Sequence, residues 1–458
     1  MSQGRYAIES LLLYNRAGLG FKGSTSVQTA NEGRSSPQPL PPSDEALREA
    51  SYEPPAAVAD DTRYSMETRL IRTLLHAFGN PPIAFSLWNG DKIAPLGTAP
   101  VATLRIADRR TLLRLCTDPD LQFGELYSAG KIDVDGSILR MIEELYVGAS
   151  EAAQTMSFRR RLAQWRHRRT RNTLTGSREN IHYHYDIGNE FYSLWLGETM
   201  AYTCAYFPTP AATLDQAQIA KMDHVARKVR LNRGERVVEA GCGWGALALH
   251  MARRYGVKVR AFNISREQIE YAREHAKAAG LANEVEFVED DYRNITGHYD
   301  KFVSVGMLEH VGAENFEELG RVIKGCLKDS GLGLIHTIGR NRAKLMHRWI
   351  DRRIFPGAHP PSLKEMMDIF ENSNFSVLDV ENLRLHYAKT LEWWHVLYER
   401  STDRVAKMFD DRFVRMWRLY LLGSQAAFTV GELQLFQAVF SPGRNNQIPW
   451  TRADIYQR

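Results

Sequence analysis

Residues 237–252, reading VVEAGCGWGALALHMA, constrain what this chain can fold into more than any other stretch. An apolar run closes on an acid, Glu239, a turn with three glycines follows (Gly241, Gly243, Gly245), and an amphipathic segment opens at Ala246. That order predicts a strand, a tight turn and a helix. Glycines suit a turn whose backbone must approach a ligand with no Cβ in the way. Ligands of open α/β sheets bind at the carboxyl ends of such strands, where the strand order reverses. A glycine-rich turn alone also fits dinucleotide-binding enzymes, so the flanking pattern has to decide.

From about 180 onward strands alternate with helices. The clearest strands are Arg236–Ala240, Lys258–Asn263, 285–288, 301–305 and 333–337, with amphipathic stretches at Ala246–Tyr255 and 266–279 between them. This spacing predicts a mostly parallel, doubly wound, Rossmann-like sheet. A nicotinamide-dinucleotide site normally has an acid at the end of the second strand to grip a ribose. Here that strand ends in Asn263, within AFNISREQI. The third runs into FVEDDYRN, where Glu289, Asp290 and Asp291 either accept hydrogen bonds from an adenine amino group or form a solvated acidic turn. The fourth leads into FVSVGMLEHVG. These four blocks, in this order, resemble class I methyltransferases better than dehydrogenases.

At 458 residues the chain is too long for one such domain, which predicts two folded units plus tails. The 44% hydrophobic and 25% charged shares are those of a soluble globular protein. No run of about eighteen apolar residues is present, and the start lacks the features of a signal peptide. The four cysteines (Cys116, Cys204, Cys242, Cys326) are far apart with no CxxC pair, which argues against structural zinc, a disulfide framework or any metal site. A reducing cytoplasm is the expected compartment. Residues 1–62 are rich in Pro, Ser, Ala and acid and read as a disordered tail. A small α/β domain is expected over 63–150, without a visible catalytic motif, and a basic linker helix over 151–179.

Within that linker, SFRRRLAQWRHRRTR interleaves seven arginines with Phe158, Leu162 and Trp165. Such a helix can dock on anionic lipid headgroups at the inner face of a membrane. It equally serves as a solvated linker, or packs on an acidic face of its own protein. Nucleic acid is not an expected partner, because no recognition module surrounds it.

The blocks HYDIGNEFYSLWLGETMAYTCAYF, GCGWG, ISREQ, DDYR, SVGMLEHVG, HTIG and HYAKTLEWW resemble those of the cyclopropane fatty acid synthases and mycolic acid cyclopropane synthases, in the same order over 180–458. FGELYSAGKIDVD resembles the amino-terminal domain of the longer bacterial members. The resemblance implies S-adenosylmethionine as cofactor. It places Tyr202 and Thr203 beside the methionine part, and Gly241, Cys242 and Gly243 at the turn. Asn263, Ile264 and Gln268 fall at the ribose, and Glu289 and Asp290 near the adenine.

It further implies an alkene of an unsaturated phospholipid acyl chain as the nucleophile. Apposition and exclusion of water then do most of the work of the first step. The resulting carbocation must lose a proton to close a cyclopropane, and the implied base is a bicarbonate ion held by Cys204, Glu309, His336 and Tyr387. The thiol, imidazole and phenol can donate to the anion, and Glu309 can accept from its hydroxyl.

Each residue has a plainer reading: Cys204 as a small buried hydrophobe, Glu309 as a helix cap, His336 as a core histidine. His310 reads as structural. Glu239 replaces the commoner Asp, and Ser424 stands where many members carry a cysteine, so no nucleophile is assigned there. A helical insertion over about 390–437, rich in aromatics, either walls the acyl channel or forms core. Rival products are methyl- or methylene-branched chains, and a rival activity is N-methylation of a small molecule. A non-catalytic lipid- or RNA-binding descendant of the fold is a third rival, which the intact cofactor motifs disfavour. The oligomeric state stays open, a homodimer included.

Overall fold

The computed structural model describes residues 65–155, except Leu96, and 187–456. The expected tail over 1–62 and the arginine-rich stretch 158–171 lie outside the described residues.

Seven strands form the main sheet, in the spatial order Phe375–Asn382, Gln434–Pro442, Leu327–Gly339, Tyr299–Val305, Arg236–Ala240, Lys258–Asn263, Val285–Glu289. Gln434–Pro442 runs antiparallel to both neighbours, and all other pairings are parallel. Val237 to Ala240 are all buried, as is nearly all of Tyr299–Val305. Such unbroken burial is expected of parallel strands covered on both faces. Helices Leu214–Lys228, Ala246–Tyr255 and Arg266–Ala278 cover one face through Met222, Val225, Leu247, Met251 and Ile269. Phe316–Cys326 and Leu363–Glu371 cover the other through Phe316, Leu319, Met366 and Ile369. The chain leaves Arg236–Ala240 toward one sheet edge and returns at Tyr299–Val305 toward the other. The switch point therefore lies between these two strands.

The carboxy-terminal segment differs from its expected form. The single helical run expected over about 390–437 is three helices, Arg384–Glu399, Thr402–Met408 and Asp411–Thr429, followed by the strand Gln434–Pro442. That strand is buried along almost its whole length, and an apolar run buried on both faces cannot be told from a helix by periodicity. The three helices are an insertion between the last two strands. Trp394 and Trp417 are fully buried. Trp394 packs edge-on to Trp195 at 5.7 Å between ring centroids, and Trp417 to Phe191 at 4.9 Å. These rings are core, and each such burial stabilises by about 1.5–3 kcal/mol.

Toward the amino terminus, Lys92–Ile93, Ile83–Leu87, Ala102–Ile106 and Ile132–Gly136 form a four-stranded sheet. It has its own core of Ile71, Phe85, Leu104, Leu112 and Ile132. Helix Ile138–Thr155 runs past the boundary expected at 150. The small sheet is not a detached body, since the described residues belong to one compact unit. Helix Pro119–Ser128 joins the aromatic core through Leu121 and Tyr127, and the ring of Trp349 lies on Gly124, where an added Cβ would come within 2.5 Å of it.

Candidate active site

A cavity opens at the switch point, holding with its open mouth about 1040 Å³ of space free of protein atoms. That is the scale of a small-molecule site. The glycine turn is its floor. Gly241, Gly243 and Gly245 have φ of +81°, +53° and +85°, a region that favours glycine. A Cβ on Gly241 would stand 2.7 Å from that of Met307, and one on Gly245 would stand 2.6 Å from the Phe287 ring.

Tyr202, Thr203, Gly241, Cys242, Gly243, Asn263, Ile264, Gln268 and Asp290 all line the cavity. Asn263 donates through Nδ2 to Gln268 Oε1 at 2.6 Å and to the Gly243 carbonyl at 3.3 Å. Asp290 Oδ1 accepts from the Asp291 N–H and from Asn294 Nδ2, both at 2.8 Å. Glu289 is not part of the wall. It is exposed, at the end of its strand and registered beside Asn263, and Asp290, Asp291 and Tyr292 form the wall instead. Glu239 Oε2 and Gln268 Nε2 are buried on lining residues without a hydrogen-bond partner among the described residues. Buried polar atoms are almost always paired. Open donors and acceptors around a turn with glycine at 241, 243 and 245 fit an adenosyl ligand with hydroxyls and an amino acid end.

Cys204, Glu309, His336 and Tyr387 are all buried, and none lines the cavity itself. Three of them stand directly behind its wall. Cys204 follows Thr203, Glu309 precedes the lining residue His310, and the His336 carbonyl accepts from the N–H of lining Gly306 at 2.9 Å. Glu309 Oε1 accepts from the Ile338 N–H at 2.5 Å, two residues beyond His336. Tyr387 lies in the first turns of the helix whose preceding carbonyl, Leu383 O, is 4.0 Å from the Cys204 thiol. Glu309 Oε2 and His336 Nε2 have no hydrogen-bond partner among the described residues.

Burial sets the protonation of this group. It pushes Glu309 up to about 7, against the N–H donors of Ile338 and its own backbone. It holds the Cys204 thiol well above its ordinary value, so the sulfur keeps its proton. His336 is held far below the ordinary range by burial and then by the charges of Lys221 and Lys228. A neutral imidazole, a protonated thiol and a carboxyl poised near neutrality are hydrogen-bonding groups suited to an anion cage. They do not make a nucleophile.

Sequence reasoning missed several lining residues. In the sequence Glu239 is only the motif acid, whereas in the fold it lines the cavity and burial raises it to about 8. His310, read as structural, lines the cavity, and burial lowers it to about 4. Lys221, in AQIAKMD, also lines it. The one available signal was the helix start, where Thr213 and Gln216 cap each other reciprocally.

The family model for mycolic acid cyclopropane synthetase matches residues 172–438. The chain belongs to this family. A second model, for a domain of unknown function, matches residues 70–157. The cyclopropane synthetase relationship extends to individual proteins. The chain is 38% identical over 392 residues to a probable fatty acid methyltransferase of Pseudomonas putida, covering 82% of this chain and 96% of that one. It is also 38% identical over 264 residues to the cyclopropane-fatty-acyl-phospholipid synthase of Escherichia coli strain K12, covering 57% and 68%. Among solved structures, mycolic acid cyclopropane synthase CmaA1, complexed with SAH and CTAB, matches with a TM-score of 0.55 and 27% identity, over 57% of this chain and 97% of that one. This member of the cyclopropane synthetase family is therefore an enzyme, an S-adenosylmethionine-dependent methyltransferase with the class I fold.

Proposed function

We propose that the enzyme transfers a one-carbon unit from S-adenosylmethionine to the double bond of an unsaturated fatty acyl chain in membrane phospholipid and closes a cyclopropane ring. The observation that carries this reading is the pair of buried, open atoms behind the cavity wall, Glu309 Oε2 and His336 Nε2. A methyltransferase acting on a nucleophilic amine has no use for such a cage, whereas an alkene reaction needs a proton acceptor shielded from water.

Bound S-adenosylmethionine supplies an electrophilic methyl on a sulfonium. Tyr202, Thr203, the 241–243 turn, Asn263, Gln268 and Asp290 would hold it, since all line the cavity. Bicarbonate would be held by Cys204, Glu309, His336 and Tyr387 and would supply a base. The chain's own part is placement and exclusion. His336 and Cys204 donate hydrogen bonds to an anion, and Glu309 accepts one through Oε2. The buried aromatic wall of Tyr387, Trp394 and Phe428 keeps water away. Apposition and dryness together protect a cation long enough for a directed proton loss.

The work site we propose is the inner face of a membrane, reached by peripheral contact through the arginine-rich stretch 158–171. No helix among the described residues is long and apolar enough to cross a membrane.

A second reading, a methyl-branched product, is favoured by the Pseudomonas putida relative, named a fatty acid methyltransferase and alignable over 82% of this chain. It shares the first step and differs in the fate of the cation. Incubation with methyl-labelled S-adenosylmethionine and unsaturated phospholipid vesicles, followed by mass spectrometry of the fatty acids, separates the two. Labelled cyclopropane chains are expected. Labelled branched chains would move the product to the second reading, and absence of label in lipid despite cofactor binding would overturn both.

A further inference from the structure

Among the described residues three lysines are buried in or against the main sheet, and two of them have carboxylates. Lys228 is paired with Glu381 at 2.6 Å and Asp379 at 3.7 Å. Lys301 is paired with Glu235 at 3.4 Å. Lys221, two helical turns before Lys228 in the same helix and 2% exposed, has no carboxylate within 4.0 Å among the described residues. Its Nζ donates to Thr203 Oγ1 at 2.8 Å, and the remaining ammonium protons have a cavity beside them, since Lys221 lines it. Buried charges are normally paired. The missing element is an anion.

We propose that Lys221 is the fixed positive charge that receives a carboxylate-type oxyanion where the cavity meets the Cys204–His336 cage. Its position is central to both regions: its charge acts on Glu239 on the cavity side and on Cys204 and His336 behind the wall. Among the described residues no ion pair within 4.0 Å joins Glu239 to Lys221, and burial raises the Glu239 carboxyl to about 8. Burial also pulls Lys221 down to about 8, so an arriving oxyanion would restore its basicity as it binds. The ammonium offers up to three donors, of which Thr203 takes one. The inference rests on the S-adenosylmethionine reading above. Two sources share the required chemistry: the carboxylate at the amino acid end of the cofactor, and bicarbonate.

The test uses the full chain and the variants Lys221→Met and Lys221→Arg. Calorimetry in bicarbonate-free buffer compares S-adenosylmethionine with its decarboxylated analogue, and turnover is then followed against added bicarbonate. If the cofactor carboxylate is the ligand, the wild type prefers the intact cofactor by about tenfold or more. In that case Lys221→Met binds both probes alike and Lys221→Arg restores part of the preference. If bicarbonate is the ligand, Lys221→Met keeps the preference but needs about tenfold more bicarbonate for half-maximal turnover. A folded Lys221→Met within twofold of wild type on both readouts overturns the proposal. Should that variant not fold, equal affinity of the wild type for both probes, with unchanged bicarbonate demand in Lys221→Arg, overturns it. Failure of the wild type to bind S-adenosylmethionine at all is a different result. It would sink the cofactor reading itself.

Discussion

The side-chain amide of Gln437 donates to Nδ1 of His336 at 2.9 Å, between adjacent strands in which the two residues stand in register. An amide nitrogen can only donate, so Nδ1 is the acceptor and the neutral imidazole carries its proton on Nε2. Burial and nearby lysine charges keep the ring neutral at ordinary pH. Nε2–H is thus a buried donor with no partner among the described residues, held in one tautomer by a residue outside the cavity lining.

Gln437→Leu should therefore lower turnover by about tenfold, the equivalent of one lost hydrogen bond to a buried group. Affinity for S-adenosylmethionine should stay within twofold of wild type, because Gln437 lies away from the cavity lining. Nitrogen NMR of the histidines gives the decisive readout: the His336 signal should move from a single Nε2–H form to a tautomer mixture. Retention of the wild-type pattern would remove the positioning role.

Gln437 also marks the limit of what the sequence conveys. The glycine turn was legible because positive φ demands glycine, and the cavity-lining set follows from strand ends that the alternating pattern locates. Asp290 rather than Glu289 lines the cavity: Glu289 shares a strand face with the buried Val285 and Phe287 yet is exposed at the strand end, an outcome that alternation does not predict. The strands Phe375–Asn382 and Gln434–Pro442 were hidden for opposite reasons, one half-exposed at a sheet edge and one buried on both faces. Lys221 was invisible because a lysine on a helix reads as solvated. Only the fold reveals that Lys228 meets carboxylates and Lys221 meets a cavity.

Glu309→Gln keeps the size and the contact with the Ile338 N–H but removes the carboxylate behind the cavity wall. Cofactor affinity is expected to hold within twofold, while turnover falls by about 100-fold or more, in the range of losing a positioned acid or base. In the wild type, burial places Glu309 at about 7, so an activity that needs its ionised form should rise with pH through that value. Calorimetry paired with a pH–rate profile checks both. Near-normal turnover in the variant would remove the argument for a base site.

Helix Pro119–Ser128, beside the small amino-terminal sheet, braces the segment that leads to the cavity wall through a packed seam that includes the Arg353–Glu125 ion pair at 2.5 Å. Trp349 lies on Gly124, and beyond its helix the Phe355 ring stands 5.9 Å from that of His310 on the cavity wall. The His359 N–H, further along, donates to the Glu309 carbonyl at 2.7 Å. Gly124→Leu should overpack this seam, costing about 1–3 kcal/mol, and should lower turnover by displacing the segment that ends at Glu309. Urea unfolding together with a turnover assay tests the link. A destabilised variant with unchanged turnover would show that the seam supports the fold alone.

Glu239 supplies the sharpest prediction about pH. Burial raises its carboxyl from an ordinary 4.5 to about 8, opposed only by Lys221. A carboxyl raised on folding binds its proton more tightly in the native state, so its stabilising contribution is complete below about pH 4.5 and is lost as pH rises through about 8. Apart from Glu309, the other strongly shifted groups act outside the useful window. Glu381 and Glu399, both held near 2, have given their full contribution above pH 5. The lowered histidines His310 and His336 act below 6.5, and Lys221 acts above 8. Between pH 6.5 and 8 the ligand-free protein should lose about 1–2 kcal/mol to Glu239, with Glu309 adding to the slope near 7. Glu239→Gln should flatten most of this slope in urea unfolding at the two pH values. An unchanged slope would mean that the carboxyl is ionised in the folded protein, with Lys221 as its true counter-ion, and the anion proposed for Lys221 would then lose its reason.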